Sequence, residues 1–423
     1  MMASLVRLDA SQHSEETTWI AGLWVAAQGT RAAASLVTAA GHGLAARVSV
    51  ALSRQAEIPR ETAAVLGRII DDPRCPAAAL PDLATDLADL GAELVGRLLA
   101  ERGVPASAVM ALGVYDPGLW TVEPTGSPGY MPLVDAAQLA ERTALNVIDA
   151  FPAKDLAQGG LGGPLLPLAE WLLLGHPRRN RALLDLGRTV RLTYLPASRS
   201  VGPSRILAMD VGPGMLLLDG LARRLSGGRQ TFDPGGRMAA QGQRIGPLLD
   251  RWLADPYFNR PLPRWHPRGV APEPFLNAAL AVAVENDWVV RDLLCTATHF
   301  IAEAIAQTLR KRLPDDAPLD EIIVTGGGAQ NGMLLRQIAH RVEVPLVPCG
   351  EIAAPPEALE PASIALLAML HLDQVPANAT GATGAEAPRV LGRMTPGSPR
   401  NWQRLLQAHA ASMAAVRPLR AAV

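Results

Sequence analysis

Two glycine-rich turns carry the residues best suited to chemistry, GGGAQN at Gly326 to Asn331 and VGPGM at Val211 to Met215. Each stands where an apolar strand-like run hands over to a helix-like one. Bare backbone can come close to a ligand there, and the unpaired N–H groups and positive dipole end of the following helix suit an anion. The chemistry this favours is phosphate binding. Asn331 is a good N-cap, and Leu334, Ile338 and Val342 recur behind it at helical spacing. In the other turn, Ile206 and Leu207 lead through Asp210 into Gly212, Pro213 and Gly214. Leu217, Leu221 and Leu225 then step along one helical face until Gly227 and Gly228 stop it. Taken singly, either turn reads first as plain punctuation between a strand and a helix.

The elements that would aim these turns follow from periodicity. Residues 1–18 read as a polar arm. Ile20 to Trp24 and Ala33 to Val37 read as two strands around a turn, with Leu44 to Leu52 as a third, the opening meander of a mixed sheet. Asp82 to Arg102 predicts a helix capped by Asp82, and a strand follows at Val109 to Val114. Asp135 caps a short helix to Thr143, and Leu145 to Ile148 is a buried strand. The next loop, FPAKDLAQGGLGGPLLP, is dense in glycine and ends at a helix around Trp171, and such loops commonly carry sites. A second cycle opens with strands at Leu183 to Leu186, Val190 to Leu195 and Arg205 to Met209. Helices at Pro274 to Glu285 and Trp288 to Leu313 precede the strand into GGGAQN. Another short strand lies at Val344 to Val347, and a helix at Ala362 to Leu372 should return toward the first half. Two cycles of hairpin strands followed by helices suggest a duplicated α/β architecture with a cleft between the halves. No residue-level repeat accompanies that rhythm.

Composition bounds the function. The chain has 423 residues, enough for two full cores, and a formal net charge of −1, which argues against an electrostatic binder of nucleic acid. Lysine occurs only at Lys154 and Lys311. Cys75, Cys295 and Cys349 are few, scattered and odd in number, which suits a reducing compartment and no metal cluster. His266, His299 and His340 form no metal-ligand spacing. No signal peptide, membrane anchor or spanning segment is read from the pattern, so the cytoplasm is the default and no membrane is expected.

Several segments together are more specific than any alone. In order they are KDLAQGGLGGPLLP from Lys154, MDVGPGMLLLD from Met209, LADPYF ending at Phe258, VTGGGAQNGMLL from Val324, Glu360 within LEPASIALLA, and ATGAEAPRVLG from Ala382. Their order, spacing and wording resemble the anhydro-N-acetylmuramic acid kinases, over essentially Trp19 to Gly392. The resemblance implies a two-domain fold of the actin and hexokinase type, with ribonuclease-H-like domains and mixed sheets flanking a nucleotide cleft. By that likeness the first domain spans residues 19–180, the second 181–370, and 371–423 return toward the first. It also implies cleavage of a 1,6-anhydro ring by water with phosphorylation at O6, using ATP and magnesium, in cell-wall recycling. A homodimer is implied as well. Phosphoryl transfer depends on positioning and charge stabilisation, which backbone donors can supply.

Residue by residue, Asp155 falls on the family's catalytic aspartate, and a carboxylate is the right base to take a proton from water. Its plainer reading is a loop Asp capping the next turn. Gly159 and Gly160 would let a sugar approach, with Gly162 and Gly163 behind them. Gly326, Gly327, Gly328 and Asn331 match the nucleotide loop, and Gly212 and Gly214 the second glycine turn. Asp185 and Gly187 stand where the family carries an Asn-Ile-Gly-Gly hairpin, and Glu360 falls on a substrate position.

The departures are concentrated. The family's Ser-Gly-Thr-Ser-x-Asp-Gly phosphate loop is replaced by Val25 to Arg31, with Thr30 at the acid's position and Arg31 at a glycine's. His-Gly-Gln-Thr becomes Tyr115, Asp116, Pro117, Gly118, and an arginine becomes Pro152. Two readings follow: a working ATP-dependent sugar kinase, or a catalytically impaired paralogue that binds sugar or a protein partner.

Overall fold

The computed structural model describes residues 17–26, 30–71, 77–121, 128–197, 205–286, 288–314 and 316–415. Residues 1–16 of the expected arm, and Ala27, Gln28 and Gly29 of the altered loop, lie outside them.

The first sheet contains β1 (Thr17–Val25), β2 (Arg31–Ala40), β3 (Arg47–Glu57) and β4 (Val109–Tyr115). A separate hairpin pairs β5 (Leu119–Thr121) with β6 (Gly129–Met131). The first sheet is completed by β7 (Val147–Asp149) and closed at its edge by β13 (Arg393–Thr395), in the order β13-β7-β4-β1-β2-β3. The second sheet holds β8 (Arg181–Leu186), β9 (Thr189–Leu195), β10 (Leu207–Pro213), β11 (Glu321–Thr325) and β12 (Leu346–Pro348), in the order β10-β9-β8-β11-β12.

Each sheet follows one plan. Its first three strands form an antiparallel meander, and its fourth and fifth join parallel on the other side of the first. The duplication legible only as rhythm is therefore a repeat of topology, a ribonuclease-H-like unit built twice in the manner of actin and the hexokinases.

Local differences from the sequence reading have local causes. β1 starts at Thr17, ahead of the expected Ile20. β3 starts at Arg47 because residues 41–46 turn, with positive φ at Gly41 and Gly43 and a single helical turn at Gly43–Ala45. The long helix is Ala79–Arg102, so Asp82 lies in its first turn instead of capping it. A carboxylate there still suits the positive end of the helix. Asp135 does cap the helix Ala136–Thr143, accepting from Ala137 and Gln138 N–H.

The helix Leu359–Leu372 joins the halves. Nearly all of its residues are buried, and it shares a core with Ile20 and Ala111 of the first sheet and Leu183 and Ile323 of the second. A helix walled in on every side has no polar stripe, which is why this segment reads as one apolar run. Gly22 and Gly113 let the first sheet come close: a Cβ on Gly22 would collide with Pro361 O, and one on Gly113 would stand 2.6 Å from Ile364 O. No helix among the described residues is long and apolar enough to cross a membrane.

Candidate active site

The C-terminal ends of the parallel strands of both sheets converge on one cavity. It is lined by Trp24 and Val25 at the end of β1, Tyr115 at the end of β4, Asp185 on β8 and Thr325 on β11. Ligands of open α/β sheets bind at such strand ends, where no backbone bond is left to make within the sheet. Glu170 of the helix Pro167–Leu174, Arg191 of β9, Asp210 of β10, Glu360, Trp120 and Trp265 complete the polar and aromatic lining.

Antiparallel register sets the central charges in a row. Arg191 stands opposite Asp185 on one side and opposite Asp210 on the other. Its Nε lies 3.4 Å from Asp210 Oδ1, and its side chain remains 46% exposed to the cleft. Burial works against the arginine's charge, but Asp210 and Asp185 outweigh it and hold its pKa above the usual value. Asp210 is 1% exposed and takes the His266 N–H at 3.1 Å; burial raises its pKa despite Arg191. Burial likewise raises Asp185.

Two further carboxyls titrate near neutrality. Burial, then the charges of Asp185 and Glu170, push Glu360 up to about 7. Burial and Asp185 push Glu170 to about 7 against a hydrogen bond from Thr193, and its Oε2 is buried with no hydrogen-bond partner. The folded chain thus binds these protons more tightly than the unfolded chain, whose carboxyls titrate near 4.5. Stability is therefore lost as pH rises from about 4.5 to 7. The unliganded protein should melt lower at pH 8 than at pH 5.5, and Glu170→Gln should narrow that difference. Thermal melts at the two pH values check this, and an unchanged difference in the variant would refute it.

The two glycine turns have a shared neighbour, the tip of the β8–β9 hairpin. Gly214 N–H donates to Arg188 O and Met215 N–H to Gly187 O, each at 2.9 Å, and Leu216 N–H reaches Arg188 O at 3.4 Å. The first amides of the helix Met215–Leu225 are consequently spent on the hairpin, not presented to an anion. This corrects the expectation for VGPGM. Gly212 gives room to the Phe258 ring, 3.1 Å from where its Cβ would stand. From the other side, Gly326, at φ 81°, packs on Asp185 and on Leu186 C, where a Cβ would come within 2.7 Å. Gly328 meets Leu186 as well, whereas Gly327 has open space where its Cβ would be. Asn331 caps the helix Gly332–Ala339, its side chain accepting the Leu334 N–H at 3.0 Å.

The glycine-dense loop is built around Asp155, which is 0% exposed on the short helix Pro152–Leu156. Gly162 N–H donates to its Oδ2 at 2.9 Å and Asn378 Nδ2 to its Oδ1 at 2.8 Å. Gly160 sits directly on this carboxylate and on Ala385, while Gly159 faces Glu386. None of the three borders the cavity. Gly162 and Gly163 instead make room for the Trp120 and Trp265 rings, whose centroids are 5.8 Å apart. Asp116 anchors the neighbouring turn, accepting from Gly118, Leu133 and Val134 N–H at 2.8 to 3.1 Å; burial still raises it to about 6.

The site thus brings Asp185 and Glu360 to one cleft, packs Gly187 and Gly326 against Asp185, and leaves Asp155 and Gly160 outside the cavity lining. Sequence reasoning missed Arg191, Glu170, the aromatic walls and the placing of Asp210. The alternation of Arg191 and Thr193 with buried Val190 and Leu192 was the one available signal. Among the described residues, no three His, Cys, Asp or Glu side chains converge as a metal cage.

A doubled ribonuclease-H-like fold with an acid-lined, aromatic-walled cleft between its halves is the build of the actin and hexokinase class. Within that class, the family model for anhydro-N-acetylmuramic acid kinase matches residues 31–397, and the chain belongs to that family. It is 33% identical to the anhydro-N-acetylmuramic acid kinase of Gloeobacter violaceus over 76% of this chain and 83% of the relative. With that of Variovorax paradoxus the identity is 35%, over 73% and 82%. Among solved structures, the activator of the 2-hydroxyisocaproyl-CoA dehydratase from Clostridium difficile aligns at a TM-score of 0.41 and 11% identity. That alignment covers 83% of this chain and 94% of the other.

Proposed function

We propose that this cleft opens the 1,6-anhydro ring of anhydro-N-acetylmuramic acid with water and phosphorylates the freed O6 from ATP, in the cytoplasm, as part of cell-wall recycling. The observation that carries the reading is the placing of Glu360, which lines a cavity walled by Trp24, Trp120 and Trp265 where burial pushes its carboxyl up to about 7. A few polar groups among aromatic walls are what a small-molecule site requires, and a proton acceptor works best when its pKa lies near the working pH.

In this mechanism the water oxygen joins C1 as the C1–O6 bond breaks, one water proton passes to Glu360, and O6 takes the γ-phosphoryl group as its bond to the β,γ-bridging oxygen breaks and ADP leaves. The hairpin tip and the GGGAQN turn hold the nucleotide, where Gly327 leaves open space in place of a side chain. Asp155 positions the loop that seats the tryptophans.

Magnesium at a nucleotide is held by one or two carboxylates together with phosphate oxygens, so no all-protein cage is needed. Asp185, packed on Gly326 at the hairpin tip, offers that donor chemistry. The ion would neutralise phosphate charge there. The reading is tested by incubating purified protein with ATP and the anhydro sugar. A phosphorylated ring-opened product is expected, and none at saturating ATP would sink it.

A further inference from the structure

Four carboxyls line the cleft, Glu170, Asp185, Asp210 and Glu360, against one cationic side chain among the described residues, Arg191. Both ligands of the proposed reaction carry oxyanions: ATP its phosphates, the muramic acid its carboxylate. An acid-lined cavity repels each of them unless a cation meets it.

Arg191 has the geometry for that task. β-Sheet register fixes its backbone between Asp185 and Asp210, so the guanidinium is aimed into the cavity by two neighbouring strands. Among the described residues it makes one ion pair, Nε to Asp210 at 3.4 Å. That is longer than the 2.7–2.9 Å typical of a charge-assisted hydrogen bond. The pair uses Nε, on a side chain that is nearly half exposed and lines the cavity. A planar guanidinium fork matches a carboxylate or phosphoryl group with two parallel hydrogen bonds.

We propose that Arg191 is the oxyanion anchor of the cleft, holding through its guanidinium either a phosphoryl group of ATP or the carboxylate of the sugar acid. The assignment rests on the kinase reading above, and its test separates the two. Calorimetry compares wild type, Arg191→Gln and Arg191→Lys with four probes: ATP, adenosine, anhydro-N-acetylmuramic acid, and the anhydro-N-acetylglucosamine that lacks the acid.

Arg191→Gln should weaken one oxyanion ligand by about 10- to 100-fold, the worth of a lost charge-assisted pair, while its oxyanion-free counterpart binds as before. Loss confined to ATP assigns the phosphoryl group; loss confined to the muramic acid assigns the carboxylate. Arg191→Lys keeps the charge without the fork and should fall between, and melting curves confirm that both variants fold. Equal binding of ATP and the sugar acid by wild type and Arg191→Gln overturns the proposal. So does an equal loss for each oxyanion ligand and its counterpart, which marks a structural role. If wild type binds neither ATP nor the sugar, the kinase reading fails and the anchor fails with it.

Discussion

Glu360→Gln is expected to lower turnover of the anhydro sugar by about 10²- to 10⁴-fold, the usual contribution of a positioned general base. The amide has nearly the same shape and cannot take the proton of the attacking water. The fold should survive, because the substitution removes a carboxyl that burial and two neighbouring acids disfavour in its charged form. Melting at pH 8 should be unchanged or higher. Steady-state kinetics beside a melting curve measure both quantities, and turnover within threefold of wild type would remove Glu360 from the mechanism.

Asp155→Asn is expected to cost stability, about 2–4 kcal/mol, and so to lower the melting temperature by several degrees. Both carboxylate oxygens accept from donors that cannot turn away. One is the Gly162 N–H, and the other is the Asn378 amide, whose own oxygen is fixed by the Arg389 N–H at 2.6 Å. An asparagine at 155 must turn an NH₂ group toward one of them, donor against donor, in a site without solvent. The loop that seats Trp120 and Trp265 loosens, and turnover falls with it. Family resemblance gives Asp155 a different part, as the base itself. A variant that melts like wild type but has lost turnover would return that role to Asp155 and take it from Glu360.

The two expectations show which information the chain carries locally. Strands in both cycles, the Asn331 and Asp135 caps and the glycine turns were legible because each depends on a few adjacent residues. Even the doubled topology left a trace in the alternation of hairpins and helices. What the turns do was not legible, because it depends on their neighbour. Gly214 and Gly326 lie more than a hundred residues apart, yet both press on the Leu186 to Arg188 tip, and nothing beside either glycine announces this.

The same holds for the charges. Asp185, Arg191 and Asp210 form a row only once β8, β9 and β10 adopt their register, and a slip of one residue would turn Arg191 to the other face. Trp24, Trp120 and Trp265 meet through sheet order and loop packing, not through sequence spacing. Asp155 was singled out by family resemblance, but burial, which decides whether water reaches it, is a property of the Asn378 segment folding over it.

Isotope transfer from solvent tests the central claim most directly. Purified protein, ATP and anhydro-N-acetylmuramic acid are combined in ¹⁸O-labelled water, and the sugar product is weighed by mass spectrometry. The account predicts a ring-opened sugar phosphate with one ¹⁸O at C1 and unlabelled phosphate at O6. An intact anhydro sugar after prolonged incubation with saturating ATP, or a phosphorylated product with no label at C1, would contradict it.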